Sequence, residues 1–160
     1  MSGKQSHKKT PDSKARPIGI DLHLSLGIRR GVPSRASFLK WIEAALRAAK
    51  KRRGQLNIRV MDTEEARALN RDFRGRDYAT NVLSFPGDAA FLGDIAICSE
   101  VVVREAIEQG KAARDHYAHL TIHGVLHLLG YDHENETDAQ AMESLEAKAL
   151  ARMGIANPYL

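Results

Sequence analysis

Three histidines late in the chain stand at a spacing suited to chemistry: His123-Gly-Val-Leu-His127-Leu-Leu-Gly130-Tyr-Asp-His133. Residues four apart on a helix differ by about 40° in direction, so His123 and His127 share one face. Gly130 can take the left-handed backbone that ends a helix and turns the chain back. That return brings His133 beside the other two. Three imidazoles with a fourth position left open make a catalytic zinc site, whereas a structural zinc is closed by a fourth protein ligand, usually including cysteine. Cys98, the single cysteine, lies outside the motif and reads as a small buried residue. Neutral imidazoles also suit copper, nickel or iron, but not magnesium. The expectation is one zinc per chain on His123, His127 and His133. His116 and His119 lie on the same helix and read as exposed or capping residues. Asp132 and Glu134 flank His133, and either is placed to orient a ligand imidazole.

The spacing matches the zinc helix of the metzincin proteases, H-E-x-x-H-x-x-G-x-x-H, except at one position. Gly124 stands where those enzymes carry a glutamate as general base. A peptidase of that kind needs the carboxylate, so the peptidase reading loses its base while the metal cage survives.

The elements that position these residues follow from periodicity. Ile18, Ile20, Leu22, Leu24 and Leu26 alternate with smaller or polar residues, which predicts a half-buried strand. Pro33 and Ser34 open a helix with Phe38, Trp41, Ile42, Ala45, Leu46 and Ala49 on one stripe, and Gly54 reads as its stop. Residues 55–61 form a second strand, with Leu56, Ile58 and Val60 on one face and Asn57, Arg59 and Met61 on the other. Asp62 or Thr63 caps the next helix, whose Ala66, Leu69 and Phe73 point inward. Two short strands follow, NVLSF and the stretch from Phe91 to Cys98. Ser99 is placed to cap a helix running to about Gly110. A helix near 114–129 carries the histidines. Thr137 and Gln140 make a capping box for a final helix to about Gly154. Together these predict an α+β fold: one domain over 17–160, with one sheet of about four strands, about five helices packed on it, and a metzincin-like zinc helix late in the chain.

Composition excludes other classes. The 160 residues, 43% apolar and 28% charged, suit one globular domain. No run approaches the roughly 18 apolar residues of a membrane span. The basic N-terminus has no following apolar stretch of the secretory kind. One cysteine forms no internal disulfide, which fits a cytoplasmic setting. Lys4, Lys8, Lys9, Lys14 and Arg16 against Asp12 account for the whole net charge of +4, so the rest of the chain is balanced. Residues 1–16 read as a disordered basic tail. Any nucleic-acid surface on the body must be a local patch; Arg47, Lys50, Lys51, Arg52 and Arg53 form one candidate, and Arg67, Arg71, Arg74 and Arg76 another.

The stretches IRVMDTEEARALNRDFRGRDYATNVLSFP, LGDIAICSEVV and HLTIHGVLHLLGYDH closely resemble the YbeY family of bacterial endoribonucleases. The resemblance runs from about Asn57 onward. It implies a three-histidine zinc site at His123, His127 and His133, and cleavage of single-stranded RNA. It further implies action in 16S rRNA 3′-end maturation and ribosome quality control, with the small ribosomal subunit and its assembly factors as partners. It also implies that Arg59 is the family's functional arginine. Phosphodiester cleavage builds negative charge on phosphorus, and a metal with one guanidinium suits that charge. Thr80, Asn81 and Ser84 are candidate donors to RNA or serve the turn at the strand end. Asp94 reads as a structural acceptor or a partner for Arg59. The competing reading, from the missing glutamate at Gly124, is a non-catalytic zinc-containing ribosome-assembly factor.

Overall fold

The computed structural model describes residues 17–160, so the reading of 1–16 as a tail lies outside the described residues. The chain runs β1 (Gly19–Leu26), α1 (Arg35–Ala48), β2 (Arg53–Met61), α2 (Thr63–Arg74), β3 (Val82–Pro86), β4 (Phe91–Cys98), α3 (Ser99–Glu108), α4 (Ala113–Leu128) and α5 (Glu136–Ala151). One sheet has the order β1-β2-β4-β3. The β1–β2 and β2–β4 pairs are parallel, and β3 is antiparallel to β4. This is the α+β layer that the sequence predicts, with four strands and five helices among the described residues.

Alternation along the strands decides what each sheet face does. Leu56, Ile58 and Val60 of β2 and Ile95 and Ile97 of β4 are fully buried against α1, α4 and α5, where Phe38, Ile42, Leu46, Ile122, Val125 and Leu126 complete the main core. The opposite face carries a smaller cluster under α2 and α3, built on Met61, Ala66, Leu83, Ala96, Cys98 and Val101. Helix α2 covers only part of that face. A cavity of about 500 Å³ remains beside it, and Arg59 lines it.

Several local expectations give way to packing. Helix α1 ends at Ala48, and Lys50 rather than Gly54 takes the left-handed turn, with φ of 58°. Gly54 lies inside β2, where a Cβ would come within 2.8 Å of Leu92. Asp62 caps α2 by accepting from the Glu65 amide. Phe73 is 68% exposed and does not point inward; its ring meets Phe85 edge-on at the rim of the open cavity. Ser99 does not cap α3: it is buried, and its hydroxyl is taken by the Tyr117 phenol at 2.8 Å. Asn135, not Thr137, caps α5, which stops at Ala151.

Candidate metal centre

Helix α4 buries almost its whole circumference, and only one strip opens to solvent. His123 and His127 lie on that strip. The helix ends in a Schellman turn: the Tyr131 amide donates to the Leu126 carbonyl and the Gly130 amide to that of His127, with Gly130 at φ of 97°. The reversal returns His133 to the other two. The three ring centroids lie 4.9, 5.2 and 5.5 Å apart, and one ring nitrogen from each falls within 4.8 Å of the others. His133, on the turn, is the exposed member.

The group behind His123 comes from α5. Glu146 is fully buried and accepts hydrogen bonds from His123 Nδ1, from His119 Nε2 at 3.2 Å and from the Tyr159 hydroxyl. Burial alone would raise its pKa, but the bonds from His119 and His123 outweigh it and hold the carboxyl down to about 2. Burial and the same carboxylate push the Tyr159 phenol up, so it stays a donor. With Nδ1 committed to Glu146, His123 presents Nε2 outward. Burial lowers the pKa of His127, and the neighbouring His123 and His133 lower it further; Arg74 at the end of α2 adds to the effect. A neutral imidazole is the form a metal binds, so the donor set fits a zinc-type ion. A second cavity, of about 280 Å³, opens beside His123 and His133 and includes Glu143 in its lining.

The remaining sequence candidates are dispersed. Arg59 contacts none of the three histidines. It forms a two-pronged pair with Glu65, Nε to Oε1 at 2.6 Å and Nη2 to Oε2 at 3.0 Å, and its Nη1 donates to Ser25. Asp94 is not its partner: Asp94 accepts from Asn57 at 2.9 Å. Ser84 bonds the Gly124 carbonyl and Asn81 bonds Glu105, both structural uses. In the second basic patch Arg67 is paired with Asp77 and Arg71 with Asp72, while Arg76 reaches the Tyr78 hydroxyl. His116 and His119 are not exposed; His116 is buried and bonds Glu105 at 2.9 Å.

Against known proteins, the family model described as Endoribonuclease YbeY matches residues 30–154. This chain belongs to the YbeY family. The protein named Endoribonuclease YbeY from Stenotrophomonas maltophilia strain R551-3 is 53% identical over 154 residues, covering 89% of this chain and 95% of that one. Its namesake from Xanthomonas campestris pv. campestris strain B100 is 49% identical with the same coverage. The solution structure of TM1509 from Thermotoga maritima superposes with a TM-score of 0.58 at 26% identity, over 83% of this chain and 91% of that one. The match to the YbeY model begins well before Asn57, so α1 and the start of β2 belong to the shared region.

Sequence reasoning missed Glu146. It looked to Asp132 and Glu134, which are adjacent to His133 in the chain. Asp132 instead accepts the His133 backbone amide at 2.7 Å and lies 4.0 Å from its ring. The available signal was a glutamate in the final helix three residues before Ala149 and four before Leu150, the spacing of one apolar face.

Proposed function

We propose that this YbeY-family chain is a zinc-dependent endoribonuclease that cuts single-stranded RNA. Its setting would be 16S rRNA 3′-end maturation and ribosome quality control in the cytoplasm, with the small ribosomal subunit and its assembly factors as partners. One observation carries the reading: three imidazoles converge on a solvent-open point, and a buried carboxylate orients one of them. His123, His127 and His133 would hold one zinc. When bound, the ion would supply Lewis acidity toward a phosphodiester oxygen.

The chain's own residues supply the rest. Glu146 holds the His123 ring in one tautomer and one direction. Glu143 lines the same cavity and its carboxylate makes no hydrogen bond among the described residues, so it is the group in place to accept a proton. Arg74, an exposed cation at the end of α2, would contact a phosphate of the same RNA. Arg59 would act from the larger cavity beside α2 once a phosphate replaces Glu65 on its guanidinium, the exchange of one bidentate anion for another.

The deciding experiment compares metal-loaded wild type with His123→Ala on a short single-stranded RNA. Cleavage by the first and none by the second is expected. A wild-type protein that retains zinc and cuts no RNA would establish the assembly-factor reading instead. His133→Ala should lose the metal on elemental analysis; full retention would sink the three-ligand assignment.

A further inference from the structure

Six basic side chains crowd one end of the molecule, apart from the histidines. Arg47 near the end of α1, Lys50, Lys51 and Arg52 in the link to β2, and Lys148 and Arg152 at the end of α5 line a cavity of about 390 Å³, with Ile18 as its apolar wall. Cations at helix C-termini have an ordinary use, because each end carries about half a negative charge. Here two ends supply about one negative charge together, and Glu43 pairs with Arg47 at 2.8 Å. With Arg47 and Arg52 set aside, about three positive charges are left over. Lys50, Lys51, Lys148 and Arg152 make no ion pair among the described residues.

A second observation points the same way. Lys50 closes α1 in a full Schellman turn, its amide on the Arg47 carbonyl and that of Lys51 on Leu46. Its φ of 58° belongs to glycine at such a position. A lysine there carries a steric cost, and among the described residues no hydrogen bond or ion pair of its side chain offsets it. Strain kept without a structural return marks a position held for function.

We propose that this cradle binds the phosphate backbone of RNA at a point removed from the metal centre. The inference rests on the endoribonuclease reading above. A concave, strongly basic cavity fits a protruding phosphate better than a flat anionic membrane, and its lining offers one apolar residue for insertion into lipid. Glu143 beside the histidines and Arg152 in the cradle are about nine residues apart, or about 13 Å along α5. That span equals about four steps of one strand of a helix. RNA flanking the cut can therefore reach both.

The test uses the full chain with Lys50→Gln, Lys51→Gln, Lys148→Gln and Arg152→Gln combined. Binding of a labelled stem-loop RNA with a single-stranded tail is followed by anisotropy between about 50 and 200 mM salt. Affinity at low salt should fall at least about 10-fold, and the slope of log affinity against log salt should flatten by about 3, from four lost phosphate contacts. Cleavage of an RNA only a few nucleotides long should not change. Lys50→Gly alone should weaken binding while leaving the melting temperature equal or higher, which a purely structural lysine would not do. Unchanged affinity and slope would overturn the cradle and leave the endoribonuclease reading standing. Wild-type protein that binds no RNA would overturn both. Loss of binding to phosphatidylglycerol vesicles with RNA binding intact would assign the surface to a membrane and overturn the proposal.

Discussion

At the residue scale the metal centre depends on a side chain that is no ligand. Glu146 is fully buried yet ionised, held down to about 2 by His119 and His123 against the effect of burial. Replacing it with glutamine leaves one acceptor oxygen where three donors now converge. Glu146→Gln should therefore loosen the His123 ring and weaken zinc binding by about 10- to 100-fold, measured by competition with a chelator. The metal-free fold should also melt lower at neutral pH, because the ionised carboxylate that stabilises it there is gone; unchanged zinc affinity would make Glu146 a core residue only. Arg59 gives the complementary case. Its guanidinium is already matched by Glu65 and Ser25, so Arg59→Ala should leave zinc content unchanged and slow RNA cleavage by roughly 10²-fold. Arg59→Lys should recover part of the rate, since an ammonium keeps the charge and loses the fork. Wild-type cleavage by Arg59→Ala would reduce the residue to a surface ion pair. The three histidines were legible in the sequence because helical period and one glycine turn bring them together within a single stretch. Glu146 was not, because its placement depends on how α5 lies across α4, and nothing local encodes that crossing.

At the element scale α4 explains why the general-base position of the metzincin pattern is a glycine. A Cβ on Gly124 would meet Ile95 Cδ1 at 3.0 Å and Cγ2 at 3.2 Å, and Ser84 Oγ at 3.3 Å. The helix lies so close to β3 and β4 that no carboxylate fits there, and the position faces the sheet rather than the histidine strip. Gly124→Ala gains up to about 1 kcal/mol of helix propensity and sets it against about 1–3 kcal/mol of overpacking on a buried isoleucine. The net result should be a loss of about 1 kcal/mol in chemical denaturation, and Gly124→Glu should fail to give folded protein. A Gly124→Glu protein that folds and gains peptidase activity would contradict this account of the helix. The same tertiary control explains which element boundaries the sequence could show. Alternation located β1 and β2, since burial of one face is a local pattern, and turn residues around Pro86–Asp88 marked off β3 and β4. Gly54 misled because a glycine between a helix and a strand serves close packing as readily as a helix stop. Phe73 misled because an apolar residue in register with Ala66 and Leu69 can still overhang an open cavity.

At the scale of the whole molecule, Glu105 ties three elements together. It accepts from Asn81 ahead of β3 and from His116 on α4, while belonging to α3. His116 is buried, and burial lowers its pKa more than the bond to Glu105 raises it. The neutral imidazole is thus the folded form. The unfolded chain takes up a proton there near pH 6.5, before the folded protein does, so acid favours unfolding. The stability from this group is complete above about pH 6.5 and is lost as pH falls through the lower folded-state value. Glu146 works in a separate window: its depressed pKa contributes above the ordinary carboxylate range and is lost only as pH falls toward about 2. Between about pH 7 and pH 5 the melting temperature of metal-free protein should therefore decline, with Glu146 still ionised throughout. His127 titrates in the same direction, so the decisive quantity is the difference between wild type and His116→Gln. Glutamine keeps a donor toward Glu105 and removes the proton site. The variant should show a shallower decline across that interval and an unchanged one below it. Parallel curves for the two proteins would show that the α3–α4 contact is insensitive to acid and that the histidine cluster alone sets the response.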